Sequence, residues 1–185
     1  WAIDGVPTLK GGSTIGIPSP PAIWDPMTGS ISTPDVRDAE RLQGFAPDWT
    51  RPAVEADGVR LGHRWKLIGN AVSVPVARWV GQRLSDPGEY DDARTGEVVR
   101  SGVSWPRAAF GNGGLEPRAV DVSMWPVKWP REHLSTFLRH RTIPLSQRAA
   151  AGFLSRARTG HLHFEEGFLV AIERHVERMR REAAA

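Results

Sequence analysis

The sequence predicts a mixed α/β chain that passes into a mainly α-helical C-terminal extension. Three observations lead there. Apolar runs of strand length stand at residues 6–9, 21–24 and 65–68. Helical stripes begin after Thr33 and after Ser73. Beyond residue 130, apolar residues recur at helical spacing and end in the i, i+4 series Phe164, Phe168, Ile172, Val176, with Met179 after it.

A chain of 185 residues with 40% hydrophobic residues is long and apolar enough for one globular core. It has no apolar run of about 18 residues and no basic-then-apolar start, which excludes a helical membrane span and a signal peptide and leads to a cytoplasmic expectation. It contains no Cys, so disulfides, thiolate metal sites and a cysteine nucleophile are ruled out. It opens on Trp1 without an initiator Met, as a fragment or one piece of a processed polypeptide would. Net charge is +3, but residues 128–182 hold 11 Lys/Arg against 6 Asp/Glu, while residues 1–127 hold 13 against 15. That asymmetry fits either a polyanion partner or a solvated helical surface.

Residues 1–32 form an irregular segment. The pair Gly11-Gly12 permits positive φ and close approach, the cluster Pro18-Ser19-Pro20-Pro21 enforces extended chain, and strands are expected only at 6–9 and 21–24. The glycines match neither a dinucleotide fingerprint nor a phosphate loop. Thr33-Pro34-Asp35 predicts a helix start, with Thr33 as cap and Asp35 and Asp38 complementing the dipole. Val36, Ala39 and Leu42 give it one docked face, and Gly44 ends it. Arg37, Arg41 and Gln43 project as long donors, with acidic neighbours at Asp38 and Glu40.

Residues 46–63 are turn-rich. The run Trp65, Leu67, Ile68 is then broken by Gly69-Asn70, a pair suited to a turn whose amide both donates and accepts. Ser73 is the expected cap of a helix that Pro75 forces to begin near Val74, with an apolar stripe Val76, Ala77, Val80, Leu84 and a breaker at Ser85-Asp86-Pro87-Gly88. Asn70, Ala71 and Val72 are thereby left in a rigid turn before a helix.

Residues 85–130 are rich in Gly, Pro, Asp and Arg without sustained periodicity and are expected to be a connector. Trp105, Trp125 and Trp129 each precede a Pro there, and Pro rings packing on indoles explain them more simply than a base-stacking platform. In 131–185 three short amphipathic helices are predicted. Arg174, Arg178, Arg180 and Arg181 crowd the last one, suited either to DNA phosphates or to pairing with Glu173, Glu177 and Glu182. His161 and His163 lack companions at metal spacing, and no metal is expected.

The stretch Arg37-Asp38-Ala39-Glu40-Arg41-Leu42-Gln43-Gly44-Phe45, followed by Trp65-Lys66-Leu67-Ile68-Gly69-Asn70-Ala71-Val72-Ser73-Val74-Pro75-Val76-Ala77, resembles the last two motifs of the DNA (cytosine-5) methyltransferases, usually numbered IX and X. The resemblance covers roughly residues 6–84. The arginine that the family usually has just before its Leu-Thr-Pro opening is missing from Ser30-Ile31-Ser32-Thr33-Pro34, and its role passes to no residue here.

The resemblance implies the C-terminal part of a Rossmann-like methyltransferase domain. Residues 1–32 would return from the target-recognition region, 33–84 would carry the two motifs, 85–130 would connect, and 131–185 would be a basic helical extension. It further implies that Gly69, Asn70, Ala71 and Val72 line a pocket for S-adenosyl-L-methionine. Arg37, Arg41 and Gln43 would brace the recognition domain. Gly11, Gly12, Ser13 and Thr14 would lie against double-stranded DNA, where Arg174, Arg178 and Arg181 are the candidate phosphate contacts.

The family flips cytosine out of the duplex and adds a cysteine thiolate to carbon 6, protonates the ring through a Glu, and moves the methyl group to carbon 5. With no Cys, this chain holds no catalytic residue of that kind. The expected partner is the N-terminal half of the enzyme, in the same polypeptide or as a separate subunit, serving restriction-modification or phage defence. A non-catalytic DNA-binding or regulatory subunit on the same scaffold is the alternative.

Overall fold

The computed structural model describes residues 2–12, 19–55, 58–111, 113–123, 127–161 and 163–184. The chain divides into a unit formed by residues 1–78 with 132–185 and a second formed by residues 79–131.

The first unit is built around an antiparallel hairpin, β1 (Ile23–Asp25) and β2 (Ser30–Thr33), registered Trp24 to Ile31. Its turn is tied by Asp25, which accepts from the Met27 amide and the Thr28 hydroxyl, and Gly29 supplies a φ of +65°. The third strand is far away in sequence. β6 (Ile143–Pro144) pairs antiparallel with β2, Thr33 facing Ile143, and its Pro sits on an edge, where the missing N–H costs no ladder bond.

Beyond the single-turn helix α4 (Leu134–Phe137), two helices close this sheet: α5 (Gln147–Thr159), capped by the Ser146 hydroxyl, and α6 (Phe168–Glu182), entered through Gly167 at φ +80°. Ile31, Ala150, Leu154, Phe168 and Ile172 form the core, and Trp24 meets the Phe168 ring edge-on at 5.4 Å. The C-terminal helices are thus part of the first unit, joined to residues 23–33 through strand pairing and core packing.

α1 (Val36–Leu42) and α2 (Gly62–Asn70) share a second core of Leu9, Ala39 and Ile68, flanked by Val6, Val36, Leu42 and Trp65. The cap of α1 is Asp35 rather than Thr33. Its carboxylate accepts from the Arg37 amide, and Pro34 precedes the cap instead of opening the helix. Gly44 follows the helix at φ +87°, as the terminator rule requires.

The Asp35 carboxylate also takes two bonds from the Arg37 guanidinium at 2.8 and 3.0 Å, which hold it well below the usual carboxylate range, at about 2. Its native-state preference for the charged form is present in full above pH 3.8 and is lost as pH falls through about 2. Asp35→Asn is therefore expected to flatten part of the loss of urea stability between pH 5 and pH 2. An unchanged acid limb would remove Asp35 from that account.

Three strand expectations change. Residues 6–9 pack Val6 and Leu9 into the second core without joining a sheet among the described residues, and the first strand begins at Ile23 instead of 21. The run at 65–68 is helical: Arg64 and Ile68, one turn apart, are buried, while Leu67 points outward at 37% exposure. Trp65 and Ile68 fit a three-residue step as well as Trp65 and Leu67 fit alternation, and burial favours the helix.

In the second unit the expected connector contains a three-stranded antiparallel sheet of β3 (Thr95–Val98), β4 (Ala109–Phe110) and β5 (Arg118–Val120), with β5 in the centre. Tyr90 secures it, with its ring 5.4 Å from that of Phe110 and its hydroxyl 2.8 Å from Thr95 Oγ1. Strands of two to four residues are too short to show alternation in sequence. Both sheets are antiparallel, so no parallel Rossmann-like sheet is found among the described residues. Trp125 lies outside those residues.

Candidate functional site

The turn that leaves α2 is fixed from two sides. Gln43 holds it from behind: its side-chain amide donates to the Ile68 carbonyl at 3.1 Å, and its own carbonyl accepts from the Val74 amide at 2.8 Å. One residue thus spans the end of α2 and the start of α3 (Val74–Ser85). Gly44 allows this approach, since a Cβ there would lie 2.6 Å from Pro75 Cδ. On the other side runs the backbone of Lys10 and Gly11. A Cβ on Gly69 would overlap the Lys10 carbonyl and the Gly11 nitrogen, and one on Gly11 would overlap the Asn70 amide and lie 2.9 Å from the Lys66 carbonyl oxygen.

Gly11, Gly69 and Asn70 are therefore in one place, although sequence reasoning gave the first to DNA and the others to a cofactor. Asn70 ends α2, Ala71 is extended (φ −77°, ψ 145°) and half-buried, and Asn70 and Val72 are exposed, Val72 at 66%. The Asn70 amide has no hydrogen-bond partner among the described residues. What the turn offers is an amide that donates and accepts, next to an apolar side chain, on a backbone held at both ends. Gly12 stands open at φ +129° with nothing near its Cβ position, and Ser13 and Thr14 lie outside the described residues.

α3 carries the expected apolar stripe, but none of its residues is buried: Val76, Val80 and Leu84 are 54%, 43% and 81% exposed.

α1, which leads into Gln43, also carries the acidic neighbours of the long donors. Asp38 and Glu40 are fully buried. Asp38 accepts from Arg41 at 2.7 Å and from the amides of Arg139 and His140 at 3.2 and 2.9 Å. Burial pushes its pKa up, but these bonds, led by the His140 amide, outweigh burial and hold it below the ordinary value. Arg41 also donates to the Phe137 carbonyl and lies 4.3 Å over the Phe137 ring. Glu40 accepts from the Asp48 and Thr50 amides and from the Thr50 hydroxyl, and Arg64 donates to Glu40, Asp48 and Thr50.

Of the three bracing candidates, Gln43 thus holds the turn, Arg41 holds Phe137 on α1, and Arg37 pairs with Asp35 at the helix start. Acidic side chains in a short helix carry no sequence signal of burial.

Arg174, Arg178 and Arg181 gather along α6 beside a cavity of about 660 Å³. None of them ion-pairs among the described residues, because Glu173 is taken by Arg158 of α5 and Glu177 forms no pair. No group of three or more potential metal ligands gathers among the described residues, and no helix there is long and apolar enough to cross a membrane.

The chain is 44% identical over 177 residues, 94% of its length, to the Type II methyltransferase M2.BsuMI of Bacillus subtilis (strain 168). It spans 44% of that relative's length. No protein-family model matches the chain. No solved structure matches it either.

Proposed function

We propose, on the premise of this likeness to a Type II methyltransferase, that the chain is the C-terminal part of a DNA (cytosine-5) methyltransferase of a restriction-modification system, acting in the cytoplasm. It completes the S-adenosyl-L-methionine pocket and braces the target-recognition domain. The observation that carries this reading is the segment 69–72, where the last residues of α2 pass into the turn before α3, clamped by Gln43 behind and Lys10-Gly11 beside, with Asn70 and Val72 presented outward.

A clamped backbone with one free amide and one apolar side chain suits one wall of a site for an adenosyl and amino-acid ligand. S-adenosyl-L-methionine supplies an electrophilic methyl group. Asn70 contributes a directed polar contact and Val72 an apolar one, while Gln43 and Gly69 keep both in place. The opposite wall, the Rossmann-like parallel sheet and the thiolate nucleophile belong to the N-terminal half. The bare stripe Val76, Val80, Leu84 is the face on which that half packs, removing about 25 cal/mol of unfavourable hydration per Å² covered.

The test is reconstitution. Calorimetry should show no S-adenosyl-L-methionine binding by the chain alone, with binding and methyl transfer to cytosine appearing when the N-terminal half is added. Asn70 is exposed, so Asn70→Asp should leave the fold intact and weaken cofactor binding by the pair about tenfold, the loss of one directed hydrogen bond with repulsion added. Full activity and affinity in that variant would refute the pocket assignment. A pair that binds duplex DNA and transfers no methyl group would instead support a non-catalytic subunit.

A further inference from the structure

The stripe of α6 continues from Phe168 and Ile172 to a polar residue, His175, which is 1% exposed. Its Nε2 lies 2.7 Å from the Leu145 carbonyl oxygen and its Nδ1 2.8 Å from Arg178 Nη2. A carbonyl only accepts and a guanidinium only donates, so the ring carries its proton on Nε2, donates to Leu145 and accepts from Arg178. A buried, neutral imidazole therefore orients an exposed arginine.

That arginine sits in the cavity between α6 and the β1–β2 turn, with Trp24, Thr28 and Gly29 on one side and Arg174 and Arg181 along the helix. Positions 174, 178 and 181 share one helical face and span about 10 Å of rise. Glu166 and Glu177 also line the cavity, but neither ion-pairs with these arginines among the described residues. Three guanidiniums against two carboxylates leave a surplus of positive charge.

We propose that this cavity is a site for the phosphodiester backbone of duplex DNA, and that His175 is a positioning residue holding the Arg178 guanidinium ready at its centre. The proposal rests on the DNA-modifying reading above and extends it to a place on the molecule and to a buried residue that no motif marks. The row is about 10 Å long, while one strand of duplex places a phosphate every 3.4 Å or so of helix axis, so the row fits a polymer better than one free ion. Fixing Arg178 before contact removes the ordering cost of a long side chain from the binding step.

The test measures anisotropy of a labelled duplex with the full chain across a salt series. Arg178→Gln, at an exposed position, is expected to reduce the slope of log affinity against log salt by about 0.9, one released counterion. His175→Phe keeps the buried ring, leaves the charge of Arg178 and removes both hydrogen bonds. It is expected to keep the slope and weaken binding roughly two- to tenfold, the cost of ordering one side chain anew. Near-UV circular dichroism checks its fold, and Arg178→Gln decides alone if that variant does not fold.

The proposal is overturned by an unchanged slope in Arg178→Gln, or by unchanged affinity in a folded His175→Phe. Saturable shifts of the His175 ring nitrogens by inorganic phosphate, with no duplex binding by the chain, would mark a small-anion site and also overturn it. A reconstituted enzyme that methylates DNA while Arg178→Gln leaves the slope unchanged would sink this site and spare the methyltransferase reading. A pair that transfers no methyl group to DNA would sink that reading instead.

Discussion

Arg64→Ala is expected to remove about 3–5 kcal/mol of unfolding free energy, measured as a fall in the urea midpoint with little change in slope. The reason is the partner left behind. Glu40 is fully buried and its charge is met by Arg64 Nη2 at 3.0 Å, by the Asp48 and Thr50 amides and by the Thr50 hydroxyl. Truncating Arg64 leaves that carboxylate with no cation inside the protein and also strips Thr50 Oγ1 of a donor. Breaking a buried pair is far more costly than the pair's own net contribution, because desolvation has already been incurred.

The surface pair Arg51 with Glu55 provides the scale. Both side chains are more than 60% exposed, so Arg51→Ala should fall within about 0.5 kcal/mol of the parent. If the two variants cost the same, Glu40 is reached by water and the network is not a structural anchor.

Gly69→Ala is expected to lower methyl transfer by the reconstituted enzyme roughly a hundredfold, the scale of a 1 Å misplacement of a binding group. Alanine is the better helix former by about 1 kcal/mol, so propensity alone would make this change stabilising. Sterics decide otherwise, since the overlapping atoms belong to the Lys10 and Gly11 backbone and no rotamer moves them aside. Residues 10–11 must lift off α2, drawing on Leu9 in the core and shifting Asn70.

Gly81 is the internal comparison. It also lies within a helix, α3, but nothing stands within 4 Å of its Cβ position, so Gly81→Ala should raise stability by about 0.5–1 kcal/mol and leave activity unchanged. Wild-type activity in Gly69→Ala would show that the Lys10-Gly11 approach is incidental.

Features governed by local chemistry were legible in the sequence. Pro75 set the start of α3 at Val74, Gly44 ended α1, and the series Phe164 to Met179 marked α6. Features governed by distant partners were not. Trp65 to Ile68 satisfied two periods at once, and only the core shared with Leu9 and Ala39 selects the helix. Ile143-Pro144 has no strand signal of its own and becomes a strand because Ser32 and Thr33 are waiting for it.

At the site, the turn before α3 was legible at Ala71 and Val72, but Gly69 and Asn70, expected in that turn, are the last helical residues of α2. The approach of Gly11 was not legible, because a glycine records neither its neighbour nor its distance. His175 bears no sequence mark because an apolar stripe shows only its apolar members, and Asp38 and Glu40 bear none because charge is a poor marker of burial. His140, Phe137 and Thr50 gained their roles through contacts spanning 10 to about 100 residues, beyond any local pattern.

The pairing of β2 with β6 has a consequence for how the protein is made. Leu9, Ala39 and Ile68 lie within the first 70 residues, so the core beneath the turn can assemble as soon as α2 leaves the ribosome. Ile31 cannot be covered then, because its neighbours Ala150, Leu154, Phe168 and Ile172 are translated more than 110 residues later. At synthesis rates of about 5–20 residues per second that delay is on the order of ten seconds, long compared with hairpin formation in microseconds. During it the β1–β2 hairpin stands with an open edge and an uncovered apolar face, the interval in which a nascent chain is most exposed to chaperones and to its own neighbours on the polysome.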